Sequence, residues 1–318
     1  RVWKYFIHPK YKNNYIVHKY IREIIQTVIE TEFSETVVDT LIASRVFKDL
    51  KPKAFLSTTD PDSKILPYVD LAKNLNIKTI CLQHGAFLGS DSPAMYPTSD
   101  YFISWSYYCK NYLLNLPYFN KVNILVGHSP FHQKKIFKKK KSTKTTVILF
   151  LATIEITDNN LVDYYYKKLF EQLDKHDNIF LIVRVHPGQN TANLNALLEN
   201  CNFKASFQNA MPLEKLLELV DIVIFQSTTA GFDAMLCGKP TIYFNPYAQK
   251  DYFNLEKYKA SVTILSLRDF SKIKMFIDDI KVRDKYSKKG QLFAQKYLGL
   301  QKNYSNNRLI NIIKNITN

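Results

Sequence analysis

Residues 220–244 read V-D-I-V-I-F-Q-S-T-T-A-G-F-D-A-M-L-C-G-K-P-T-I-Y-F, and this stretch constrains the fold more than any other. An apolar, β-branched run from Asp221 to Phe225 leads through a polar hinge, Gln226 to Thr229, into a short helical pattern, Gly231 to Cys237. A Gly-Lys-Pro stop then precedes a second apolar run, Thr241 to Phe244. The pattern is strand, turn, helix, turn, strand. Ser227, Thr228 and Thr229 fall where the strand gives way to the helix. Their hydroxyls and the first free N–H groups of the helix are expected to point at one spot suited to an anion. Gly231 is expected to let a ligand approach the backbone closely. A plain helix N-cap explains Ser and Thr at these positions equally well, so both readings stand at this point.

The same alternation runs along the chain. Helical spacing marks Tyr15 to Glu30, with Ile16, Tyr20, Ile24 and Val28 in register, and again Thr36 to Leu50. A strand from Lys53 to Ser57 ends in T-T-D-P-D-S, a helix covers Ile65 to Leu75, and a strand from Lys78 to Leu82 runs into Q-H-G. Tyr101 to Trp105 and Val122 to Val126 read as strands around a helix at Tyr107 to Leu116. Strands follow at Val147 to Leu151 and Ile179 to Val185, with helices at Leu161 to Leu173, Leu194 to Leu198 and Leu213 to Leu219. The end is helical, over Lys272 to Ile280, Asp284 to Tyr297 and Tyr304 to Ile316. Such alternation means βα units and parallel sheets, an α/β fold. Residues 137–146 are polar and strongly basic with no core face, so they read as a linker. The units this implies are 1–136, 147–300 and a C-terminal helix at 301–318.

The length of 318 residues favours two domains, and a hydrophobic fraction of 46% is enough for sizeable cores. Lys plus Arg number 44 against 28 Asp plus Glu, a formal net charge of +16 that suits anionic partners. The run Lys138 to Lys141 is either a solvated linker or a handhold for an anionic acceptor or lipid headgroups. Cys81, Cys109, Cys201 and Cys237 lack C-x-x-C spacing, so neither zinc nor a disulfide framework is indicated, and a cytoplasmic setting is expected. No apolar run reaches the length of a spanning helix and no signal-like segment opens the chain. The start at Arg1 rather than Met reads as that of a fragment. Asn303-Tyr-Ser and Asn315-Ile-Thr are read as chance matches to the glycosylation pattern.

Three loops share one topological address. Gln83-His84-Gly85, Arg184-Val185-His186-Pro187-Gly188 and Gln226 to Gly231 each begin where an expected parallel strand ends, so they should face a common cleft. Arg184 and His186 alternate with Val183 and Val185 and therefore share a strand face. They are suited to bring a guanidinium and an imidazole to a phosphate. Pro187 sets the turn and Gly188 lets the chain leave it. His84 and His186, each beside Gly or Pro at a strand end, are the histidines placed for proton exchange. His8, His18, His128, His132 and His176 lack that context. H-E-x-x-H, G-x-x-x-x-G-K-[ST] and G-x-G-x-x-G are all absent, which argues against zincins, P-loop NTPases and the ordinary dinucleotide fold.

Q-H-G, R-V-H-P-G and the 220–244 stretch together resemble the two-domain GT-B glycosyltransferases of bacterial surface polysaccharides. The likeness is greatest to the capsule group with its Kdo and sialic acid transferases. The CDP-glycerol glycerophosphotransferases, with a similar H-G, H-P and S-S/T-x-x-F-D order, are close relatives of that pattern. It covers roughly Ile77 to Asn245, and Gln83 stands where the glycerophosphotransferases usually carry Trp. The resemblance implies two Rossmann-like domains facing a cleft, the second binding a nucleotide-sugar donor through Arg184, His186, Pro187, Gly188, Gln226, Ser227, Thr228, Thr229 and Gly231. It implies an acceptor glycan or glycolipid on the first domain beside Gln83 and Gly85, with His84 as base. Asp60 in the T-T-D-P-D-S loop is the carboxylate alternative, and Glu155 a third. The implied activity is inverting, metal-independent transfer without a cofactor, from a CMP-activated acidic sugar to a capsule or lipopolysaccharide glycan, at the inner face of the cell membrane. Polyol phosphotransfer from a CDP donor and 2-epimerisation of a nucleotide sugar are the enzyme alternatives. A nucleic-acid-binding protein is the other class, disfavoured because no aromatics interleave with the basic run.

Overall fold

The apolar runs pair as two separate parallel sheets. The structure, a computed structural model, describes residues 34–59, 64–86, 97–116, 119, 122–132, 145–152, 159–185, 191–226, 228–300 and 307–318. The first half holds α1 (Ser34–Leu50), β1 (Ala54–Ser57), α2 (Leu66–Asn74), β2 (Lys78–Leu82), β3 (Tyr101–Ser104), α3 (Tyr107–Leu114) and β4 (Asn123–Val126). Its strands pair in the order β1-β2-β3-β4, all parallel. The second half continues with β5 (Thr146–Ala152), α4 (Asn159–Leu173), β6 (Ile179–Val185), α5 (Ala192–Leu198), β7 (Lys204–Phe207), α6 (Leu213–Leu219), β8 (Ile222–Phe225), α7 (Ala230–Leu236) and β9 (Thr241–Phe244). It ends with α8 (Leu255–Tyr258), β10 (Val262–Ile264), α9 (Ser271–Asp278), α10 (Ile280–Tyr297) and α11 (Asn307–Thr317).

The second sheet runs β7-β6-β5-β8-β9-β10 and is parallel throughout. Numbered from β5, that is the 3-2-1-4-5-6 order of a doubly wound dinucleotide-binding sheet. The missing glycine fingerprint therefore excludes a Gly-rich turn after β5, and the topology is present without it. The order in which strands are added reverses between β5 and β8, the topological switch point. Each sheet is locked at a strand entrance by an aspartate: Asp221 Oδ2 accepts from Val147 N at 2.9 Å, and Asp100 Oδ2 accepts from Thr79 N at 2.9 Å.

β7 and β10 escaped the sequence reading. β7 is a half-exposed edge strand, Lys-Ala-Ser-Phe, and β10 has only three residues, so neither carries a long apolar run. The expected helix at Lys272 to Ile280 ends two residues early. Asp279 leaves helical geometry and caps the next helix, its carboxylate accepting from the amides of Lys281 and Val282 at 2.8 and 3.2 Å, so α10 starts at Ile280 rather than Asp284. The expected helix at Tyr15 to Glu30 and most of the basic linker lie outside the described residues.

One apolar cluster spans both halves. Trp105, Cys109 and Phe119 of the first join Phe232, Phe253, Phe293 and Tyr297 of the second. The Phe232 ring stacks on Tyr297 at 4.4 Å. Hydrogen bonds follow the same seam: Ser106 Oγ donates to Tyr297 O at 2.7 Å, Ser129 N to Leu298 O at 2.8 Å, and Tyr108 OH to Phe253 O at 3.1 Å. Gly299 leaves α10 with φ +71°, and a Cβ there would stand 2.0 Å from the Trp105 carbonyl oxygen. Only glycine permits so close a backbone crossing.

Candidate functional site

Two of the three motif loops meet. The backbone N–H of Ala86, directly after Q-H-G, donates to Thr229 Oγ1 at 3.4 Å, and a Cβ on Gly85 would lie 3.9 Å from the same oxygen. β2 carries one loop and β8 the other, so residues 143 apart in sequence are joined at the carboxyl ends of strands from different sheets. The β8 loop also sits at the switch point beside β5, the place where ligands bind in open α/β sheets.

His84 is exposed at this junction. Its Nδ1 lies 2.6 Å from the carbonyl oxygen of Thr58, just past β1. A carbonyl only accepts, so the neutral ring carries its proton on Nδ1 and presents Nε2 as a proton acceptor. The site thus holds a histidine in the tautomer a general base requires. Asp60, two residues beyond Thr58, is outside the described residues, as are Glu155, His186, Pro187, Gly188 and Ser227.

Several expected contacts take a different form. Gln83 is buried, not open to an acceptor: its Oε1 accepts from Trp105 N at 2.9 Å, its carbonyl accepts from Trp105 Nε1 at 2.6 Å, and its Nε2 donates to Gly85 O at 3.0 Å. It shapes the loop that presents His84. Gln226 is fully buried too. Its Oε1 accepts from Tyr166 OH at 2.8 Å and its Nε2 donates to Tyr247 OH at 3.3 Å, so the side chain ties three elements together instead of meeting a phosphate. Gly231 makes room for protein, not ligand, because a Cβ there would stand 2.1 Å from the Phe225 ring. The Thr228 hydroxyl accepts from Ala230 N at 3.3 Å, and the amides of Gly231 and Phe232 bond to the carbonyls of Thr228 and Thr229. Thr229, the residue before α7, makes no side-chain cap hydrogen bond, and its hydroxyl is the group that the turn presents toward the first half.

Arg184 is half-buried, on the face of β6 that it shares with half-buried Phe180 and buried Ile182. One guanidinium N–H donates to the Met211 carbonyl, and Asn209 Oδ1 accepts from Val185 N at 3.1 Å, so the loop before α6 braces the end of β6. A guanidinium has five N–H donors and this bond uses one. The sequence pattern held no signal for Asn209 or Met211, because neither belongs to a strand-end motif.

A further contact across the halves involves His132, which had drawn no role. Its Nδ1 lies 2.5 Å from Ser129 Oγ, its ring meets Trp105 edge-on at 5.3 Å, and its Nε2 lies 3.7 Å from Asp233 Oδ1 on α7. The carboxylate places the proton on Nε2, so Nδ1 accepts from the Ser129 hydroxyl. Burial lowers the imidazole to about 4 despite that carboxylate. The unfolded chain, at the usual value near 6.5, binds a proton here that the folded chain rejects. Stability should hold above pH 6.5 and fall by about 3 kcal/mol as pH drops from 6.5 to 4. Urea titrations across that window should show the slope, and His132→Gln should flatten it.

Among the described residues no three His, Cys, Asp or Glu side chains are grouped as metal ligands, and no helix is long and apolar enough to cross a membrane. No protein-family model and no curated protein sequence matches the chain. Solved structures do. Staphylococcus aureus MnaA, in a co-structure with UDP, superposes with a TM-score of 0.62 at 12% identity over 89% of this chain and 81% of its own. S. aureus TarM, solved as a point mutant with fondaparinux, alpha-GlcNAc-glycerol and UDP, matches with a TM-score of 0.60 at 14% identity over 88% of this chain and 59% of its own. Acinetobacter baumannii MurG matches with a TM-score of 0.55 at 13% identity over 87% of this chain and 76% of its own. The fold is GT-B: two parallel α/β sheets, one of four strands and one of six.

Proposed function

We propose that the chain is an inverting, metal-independent glycosyltransferase that moves a sugar from a nucleotide donor to a bacterial surface glycan, of capsule or lipopolysaccharide type. The observation that carries the reading is the Ala86 to Thr229 hydrogen bond, which sets a base-competent His84 beside the switch point of the second sheet. The donor nucleotide occupies the crevice at β5, β6 and β8. Arg184, His186 and the Ser227 to Thr229 turn offset the charge of the leaving phosphate, and His84 Nε2 takes the proton of the acceptor hydroxyl. Fixed donors aimed at that phosphate perform the role a divalent ion has in other transferases, so activity is expected to survive EDTA.

The donor is a pyrimidine-nucleotide sugar. A CMP-activated acidic sugar suits Arg184 and the net charge of +16, while UDP is the nucleotide in the MnaA and TarM structures. A thermal-shift panel of CMP, CDP, UDP and GDP tests the pocket, because a ligand at 100 times its Kd stabilises the folded state by about 2.7 kcal/mol. One nucleotide should raise the melting temperature, and His186→Ala should abolish that rise with the fold intact. An unchanged rise in the variant would move the pocket away from β6. A nucleotide-sugar 2-epimerase is the second reading, favoured by the match to a solved UDP-N-acetylglucosamine 2-epimerase with a TM-score of 0.55 at 13% identity. Product formed from donor alone, without acceptor, would select it.

A further inference from the structure

Helix α10 carries a surface that this chemistry does not use. Lys281, Lys285, Lys288, Leu292 and Lys296 recur every three or four residues and so line one face of an 18-residue helix. All five are exposed, Leu292 to 67%. Lys289 borders the strip. The one acid in the helix, Asp284, is half-buried beside it. The opposite face is accounted for by packing, since Gly290, Phe293, Ala294 and Tyr297 are buried against the rest of the fold. At its far end Lys296 Nζ lies 5.4 Å over the Tyr258 ring, so the strip continues onto α8 with its exposed Lys257.

Two other solvated helices, α4 and α6, mix their charges. α4 pairs Lys168 with Glu171 at 2.7 Å, and α6 sets Glu214 and Glu218 around Lys215. Solubility therefore does not account for a strip of one sign with a leucine at its centre.

We propose that this face of α10 rests on an anionic lipid bilayer, with its lysines over the headgroups and Leu292 inserted among them. The leucine selects the partner. A soluble polyanion gains nothing from an apolar side chain standing inside a lysine strip, whereas a bilayer interface attracts the charges and also removes the leucine from water. The strip is straight and roughly 22 Å long at the helical rise, which suits a plane. The surface is independent of the donor and base assigned above, so it stands or fails apart from them.

Sedimentation of the full chain with vesicles at about 0.15 M salt tests it. Binding is expected to phosphatidylcholine vesicles containing one-third phosphatidylglycerol, and not to phosphatidylcholine alone. The double variant Lys285→Glu, Lys288→Glu should lower partitioning by about 30-fold or more. Leu292→Ser should lower it roughly tenfold at unchanged charge. These positions are exposed, so circular dichroism should match the parent. Absence of binding to the anionic vesicles, or equal partitioning of the variants, overturns the proposal. Equal binding to soluble polyphosphate that Leu292→Ser leaves unchanged overturns it too, and assigns the strip to a polyanion.

Discussion

His84→Ala should lower transfer by about 10²- to 10⁴-fold, the usual contribution of a positioned base, while nucleotide affinity stays that of the parent. The Thr58 carbonyl fixes the tautomer, so the variant loses the Nε2 lone pair that His84 offers at the junction of the two loops. His84→Gln keeps a donor for that carbonyl but has no basic nitrogen, and it should be equally inactive. A structural role for the ring would instead let Gln restore activity. Single-turnover transfer alongside nucleotide titration separates chemistry from binding. Near-normal turnover in His84→Ala, with loss in Asp60→Ala, would pass the role to the aspartate that follows Thr58 in the same loop.

Gly231→Ala should destabilise the protein by about 3 kcal/mol, the upper end for an added methyl in a packed core. The new Cβ would stand 2.1 Å from Phe225, a fully buried ring on the central strand β8 that packs against Tyr243 at 5.4 Å. Neither the ring nor the helix has room to retreat, because α7 is clamped on its other side by Phe232 stacked on Tyr297. Gly85→Ala is the control. Its Cβ would make an ordinary contact with Thr229 Oγ1 at 3.9 Å, so urea midpoints should stay close to the parent while the Michaelis constant for acceptor rises. Equal destabilisation by the two changes would contradict this account of why each position is glycine.

The motif loops illustrate how far pattern reaches. Strand ends were legible at Leu82, Val185 and Phe225 because each apolar run stops abruptly at a polar or Gly-containing turn, and parallel sheets place such ends on one edge. The direction of each side chain was not legible. Gln83 and Gln226 open the motif loops that carry His84 and Thr228, yet both are buried and hydrogen-bonded to groups 22 and 60 residues away, Trp105 and Tyr166. Local sequence carries no record of such partners. His132 shows the converse, a residue in an uninformative stretch that gains its place only through Trp105, Ser129 and Asp233.

By itself the sequence determined the class of fold and the strand ends at which the motif loops begin. Hydrophobic periodicity is a local property, and alternating β-branched runs with amphipathic segments leave few arrangements other than parallel α/β sheets. Tertiary structure alone decided the strand order that puts the turn after β8 at a switch point, and the contact between that turn and the loop after β2. It also decided the division of the glycines into one that admits a ring, Gly231 against Phe225, and one, Gly85, whose Cβ would meet Thr229 at ordinary contact distance. These depend on which surfaces are buried against each other across more than a hundred residues, and burial is a property of the packed chain as a whole.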